Sequence, residues 1–114
     1  MFERIDTMCL TVSNVEKASN WYQNVLGLTV SFSGEGYRVL SVGNSSVPLT
    51  IEEGNTDSDS NNSYPIFFTK DIKEAHENLN SQGVQIDQLH NDGVNNFFDF
   101  YDLDGNKMQV CFFE

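Results

Sequence analysis

The chain has 114 residues, with 17 Asp plus Glu against 6 Lys plus Arg, for a formal charge of −11. A surface this acidic repels nucleic-acid backbones and anionic membranes, so neither is an expected partner. With 39% hydrophobic and 12% aromatic residues there is ample material for a core, which argues against wholesale disorder.

No apolar run approaches the ~18 residues needed to cross a bilayer. The opening MFERIDTM carries charge where a signal peptide needs an apolar stretch, so a cytoplasmic location is expected. Two cysteines, Cys9 and Cys111, are too few for a disulfide scaffold and are expected to remain thiols.

Residues Ile5 to Val12 alternate apolar and polar side chains, the period of a strand with one face on a core. Ser13 to Glu16 reads Ser-x-x-Glu, a capping box. Val15, Ala18, Trp21 or Tyr22, and Val25 or Leu26 follow at helical spacing, and Gly27 stops the helix. Three strands are expected next, Thr29–Ser33, Tyr37–Val42 and Val47–Glu52, separated by Gly34, Gly36 and the Gly43–Asn44 turn. Residues 54–63, GNTDSDSNNS, have no apolar anchor and read as a flexible linker.

The pattern then restarts. Tyr64–Thr69 reads as a strand and Asp71–Gln82 as a helix with Ile72, Ala75 and Leu79 on its apolar stripe, closed by Gly83. Strands are expected at Val84–Leu89, Asn95–Tyr101 and Lys107–Phe113, with the turn Asp102-Leu103-Asp104-Gly105-Asn106 before the last. A shift of 57 residues places Asn14, Val15 and Ala18 on Asp71, Ile72 and Ala75, and Thr7 on Tyr64. Gly43–Asn44 matches Gly105–Asn106, and two extra serines then set Leu49 opposite Gln109. Internal repetition of this kind predicts an α+β fold of two β-α-β-β-β modules, residues 1–53 and 64–114, whose open faces curl around a cavity within one domain.

LTVSNVEKASNWYQNVLGL at 10–28 and FDFYDLDGNKMQV at 98–110 resemble the vicinal oxygen chelate superfamily. That group contains glyoxalase I, extradiol dioxygenases, and the fosfomycin- and bleomycin-resistance proteins. The resemblance covers essentially the whole chain. It implies the glyoxalase/bleomycin-resistance/dioxygenase-like fold and a homodimer with cavities between subunits. It does not imply one reaction, since the fold hosts both enzymes and binders.

The family's metal enzymes take ligands from the middle of each module's first strand and the start of its last. The resemblance assigns these positions to Thr7, Leu49, Tyr64 and Gln109, with Ile51 as the alternative to Leu49. None supplies the imidazole or carboxylate that such an ion needs, so neither a metal nor another cofactor is expected. His76, beside Glu74 and Glu77 and off the helix stripe, reads as a solvated residue, and His90 as a loop residue. Glu52 and Glu53 read as a polar strand end, with Glu52 turned away from the cavity if Leu49 faces it. No basic residue flanks Cys9 or Cys111 to activate a thiolate.

Aromatic residues are the positive signal. The expected cavity lining is Thr7, Cys9, Leu49, Tyr64, Phe68, Phe98, Phe100, Gln109 and Cys111, although alternation does not decide between Phe98/Phe100 and Phe97/Tyr101. The leading expectation is a metal-independent binder of a small aromatic or cationic molecule. Its rivals are a glyoxalase-type lyase, isomerase or dioxygenase with ligands such as His90, Glu53, Tyr64 and a thiol, and a non-catalytic interaction module with a filled cavity.

Overall fold

In the first helix, Val15, Ala18, Ser19 and Tyr22 are buried, the i, i+3, i+4, i+7 stripe of an amphipathic helix. The computed structural model describes residues 1–56 and 63–114. Most of the expected linker at 54–63 therefore lies outside the described residues. Contacts group the chain into two compact units, Met1–Asp59 and Ser60–Glu114.

The first unit contains β1 (Met8–Val12), α1 (Val15–Leu26), β2 (Thr29–Gly34), β3 (Tyr37–Ser41) and β4 (Leu49–Glu53). Its sheet runs β1-β4-β3-β2, with β1 and β4 parallel and the other pairs antiparallel. β1 begins at Met8 rather than Ile5, because its partner β4 offers no residue before Leu49; Ile5 is 75% exposed. The helix cap is Asn14 rather than Ser13. Its side chain accepts from Lys17 N, while the Val15 amide donates to Glu53 Oε1 at 3.0 Å. Glu53 thus satisfies a free amide of the first turn, and Glu16 instead accepts a 2.6 Å bond from Arg38. Gly27 closes the helix in the left-handed region, at φ 71°.

Leu10, Val12, Leu40, Leu49 and Ile51 are all buried and share one face of this sheet by pairing register. That face packs under α1, as the contacts of α1 with β2, β3 and β4 show. Burial of each such side chain contributes roughly 1.5–3 kcal/mol. Strand β2 carries a bulge between Val30 and Phe32. Val30 pairs with Leu40, so it lies on the helix side, but the extra residue makes Phe32 pair with Val39 and turns its ring to the opposite face.

The second unit contains β5 (Ile66–Phe68), α2 (Ile72–Ser81), β6 (Gln85–Ile86), β7 (His90–Asn91), β8 (Asn96–Tyr101) and β9 (Lys107–Phe112). Its sheet runs β5-β9-β8-β6, and β7 also pairs with β8. The single strand expected over Val84–Leu89 is two short bridges instead, Gln85–Ile86 and His90–Asn91, each antiparallel to β8. Asp71 caps α2 by accepting from Glu74 N, and Ile72 and Leu79 are buried beneath it. In the turn before β9, Gly105 alone takes positive φ, at 80°, and Asp102 Oδ1 accepts from the amides of Asp104 and Asn106.

Candidate ligand-binding site

The face of the first sheet turned away from α1 carries a concavity of about 460 Å³, lined by Asp6, Thr7, Cys9, Phe32, Tyr37, Val39, Thr50 and Glu52. Register explains the set: Cys9 pairs with Thr50, Val39 with Thr50, and Tyr37 with Glu52, so these side chains emerge on the same side. Thr7 immediately precedes β1, and its Oγ1 lies 2.7 Å from Thr50 Oγ1 and donates to Pro48 O at 3.0 Å. This hydroxyl pair forms the polar part of the floor.

Phe32 and Tyr37 form an aromatic wall, with ring centroids 6.0 Å apart and planes at 31°. The Cys9 thiol donates to Glu52 Oε2 at 3.8 Å. Partial burial of the sulfur, followed by the charge and the hydrogen bond of Glu52, pushes the thiol above its ordinary value. Cys9 is therefore a neutral thiol at physiological pH, the opposite of an activated nucleophile. Asp6 pairs with Arg4 at 3.2 Å, but both are well exposed, so the pair is weak.

Leu49 is not part of this lining. It is 2% exposed and faces α1, as does Ile51. The residue of β4 that meets Thr7 is Thr50, one position along, and Glu52 shares its face rather than turning away. Bulge-directed Phe32, together with Tyr37, was not among the sequence candidates. The Gly34-to-Tyr37 hairpin and the Thr50/Glu52 alternation were the available signals.

In the second unit, Phe98 (0% exposed) and Phe100 (1%) belong to the helix-side core. They pair with Val110 and Met108, and His76 packs edge-on against Phe98, with ring centroids 4.9 Å apart. His76 is thus half-buried rather than solvated, and its Nε2 lies 2.9 Å from Asp87 O. The opposite face holds Phe97, Asp99 and Tyr101 on β8, paired with Cys111, Gln109 and Lys107 on β9. There Gln109 Nε2 donates to Asp99 Oδ1 at 3.0 Å, and Lys107 Nζ lies 4.2 Å from the centre of the Tyr64 ring. Phe68 is half exposed and meets Phe113 edge-on. Burial raises the Cys111 thiol as well. Glu53 is engaged in capping α1, and His90 is exposed against Phe97.

The Glyoxalase/Bleomycin resistance protein/Dioxygenase superfamily matches residues 4–110. The chain belongs to this superfamily. Its α+β architecture, with two helices and two mixed sheets among the described residues, is that of the family. The antibiotic-binding protein TnmS3 from Streptomyces sp. CB03234 has a TM-score of 0.84 at 18% identity, over 99% of this chain and 98% of its own. The fosfomycin resistance protein FosX from Listeria monocytogenes scores 0.83 at 17% identity, over 100% and 96%. An integron cassette protein from V. cholerae scores 0.74 at 23% identity, over 100% and 98%. No curated protein sequence matches significantly.

The resemblance assigns metal ligands to Thr7, Leu49, Tyr64 and Gln109; Leu49 is buried toward α1, and its neighbour Thr50 meets Thr7 instead. Hydroxyl and amide oxygens without a carboxylate or imidazole do not fit a divalent transition ion. Among the described residues, no three His, Cys, Asp or Glu side chains cluster to hold one. No helix among them is long and apolar enough to cross a membrane.

Proposed function

We propose that this superfamily member binds a small aromatic or cationic molecule, without a metal ion and without chemistry, on the face of its first sheet turned away from α1. The observation that carries the reading is the lining of the concavity. It combines two carboxylates, Asp6 and Glu52, with two rings, Phe32 and Tyr37, and contains no Lys or Arg. Carboxylates beside aromatic faces favour a cation with a flat apolar body. A volume of about 460 Å³ suits a drug-sized ligand. The formal charge of −11 draws cations from bulk solution. The protonated Cys9 thiol supports retention of a ligand rather than its conversion. TnmS3 is an antibiotic-binding protein, and this chain is proposed to hold its ligand without converting it, as a cytoplasmic homodimer.

The test is a fluorescence titration with proflavine, a planar monocation, beside fluorescein as an anionic ring of similar size. Saturable binding of proflavine and none of fluorescein is the expected result; no saturable proflavine binding up to millimolar concentration overturns the reading. Thermal melts with 1 mM Mn²⁺, Ni²⁺ or Zn²⁺ accompany it. An ion held at 100 times its Kd would add about 2.7 kcal/mol and visibly raise Tm, and no such rise is expected.

A further inference from the structure

Gly34 ends β2 opposite Tyr37, on the same face as the concavity. It is not among the glycines with positive φ, so its backbone is one that alanine adopts readily. What opposes a side chain there is space. A Cβ on Gly34 would overlap the outer carbons of the Tyr37 ring and come within 2.6 Å of its hydroxyl oxygen. The end of the Tyr37 ring thus fills the place that a side chain at position 34 would take, and Phe32 flanks it. From the other side of the sheet, Arg38 Nη1 donates to the carbonyls of Gly34 at 3.0 Å and Tyr37 at 2.8 Å, fixing the hairpin that carries both.

Resting on the binding reading above, we infer that Gly34 is a positioning residue for ligand selectivity. By leaving room for the end of the Tyr37 ring, it sets where that ring stands beside Phe32, and so the surface on which a planar cation stacks. With any larger residue at position 34 the ring must shift away, which takes the aromatic wall apart. The site then still attracts positive charge through Glu52 but no longer prefers a planar ligand. Stacking on an aromatic face accounts for about tenfold in affinity.

Two measurements test this on the full chain. In the NMR spectrum the Gly34 α-protons, beside the end of the Tyr37 ring, should be displaced from ordinary values by its ring current, and Tyr37→Leu should return them. Ordinary shifts in the unmodified protein overturn the inference. The second measurement is a proflavine titration followed by amide shifts. Gly34→Ala should weaken proflavine about tenfold while amide shifts away from β2 and β3 keep the unmodified pattern, whereas a merely structural loss would spread shift changes through the whole first unit. Gly34→Ala/Tyr37→Ala removes the overlap and guards against a folding defect; it should recover the thermal midpoint lost in Gly34→Ala without recovering proflavine affinity. Equal proflavine binding by Gly34→Ala and the unmodified chain overturns the inference alone. Absence of proflavine binding to the unmodified chain overturns the underlying reading and this inference with it.

Discussion

Glu52 has two neighbours with opposite demands, the Cys9 thiol and the space a cation would fill. Replacing it by glutamine removes one charge but keeps the shape. Glu52→Gln should weaken proflavine about tenfold, or ~1.4 kcal/mol, as read by the same titration. It should also speed alkylation of Cys9 by iodoacetamide at pH 8, because two of the three causes holding the thiol up vanish with the carboxylate while burial remains. Slower alkylation would mean that the carboxylate assists the thiolate rather than opposing it. The position of Glu52 was within reach of the sequence. Leu49, Thr50, Ile51 and Glu52 alternate as cleanly as Leu10, Thr11 and Val12, and placing the apolar members inward gives the observed face. Aligning the repeat through its glycine turns instead shifted the phase by one, because the Ser45–Ser46 insertion sets turn length and not strand register.

At the scale of elements, helices α1 and α2 were legible almost to their ends, since an apolar stripe and a terminal glycine are local signals. Strand faces in the second unit were not. Both faces of β8 are aromatic, so only pairing of Phe98 and Phe100 with Val110 and Met108, ten or so residues away, decides which rings enter the core. The bulge in β2 has the same character, because one extra residue turns Phe32 outward without any marker in composition. The β2–β3 hairpin is in turn held to α1 by Arg38, whose side chain is 16% exposed while that of its partner Glu16 is 76% exposed. An ion pair with so exposed a carboxylate contributes little. The bonds to the Gly34 and Tyr37 carbonyls, by contrast, are charge-assisted and shielded. Arg38→Ala should therefore cost roughly 2 kcal/mol, and Glu16→Ala less than about 0.5. Urea denaturation measures both, and comparable losses would show that the ion pair matters most. Arg38→Lys should recover part of the loss, because both carbonyls are reached by the one nitrogen Nη1 and an ammonium also carries donors enough for two acceptors.

For the whole molecule, four groups on the two sheets hold their protons more tightly than an unfolded chain would. Burial raises Cys111; burial and then Glu52 raise Cys9; and burial followed by its hydrogen bond to Asp87 raises Tyr101. Burial pulls Lys107 the other way, but Asp99, with Tyr64 and Tyr101, more than offsets it and leaves this group raised too. Above the ordinary thiol value, about 8.5, the native state binds more protons than the unfolded state, so stability falls as pH rises. Below it these groups are protonated in both states and impose no slope. The burden of negative charge, already −11 before any of them ionises, grows in the same range. Urea midpoints should therefore be level between pH 7 and 8 and decline steadily from pH 8.5 to 10.5. Cys9→Ala should flatten the first part of that decline and leave the later part, governed by Tyr101 and Lys107, in place. A midpoint that stays constant to pH 10 would mean that neither thiol is held protonated by the fold, and with that the argument for Cys9 as an inert neutral group in the binding face would fail.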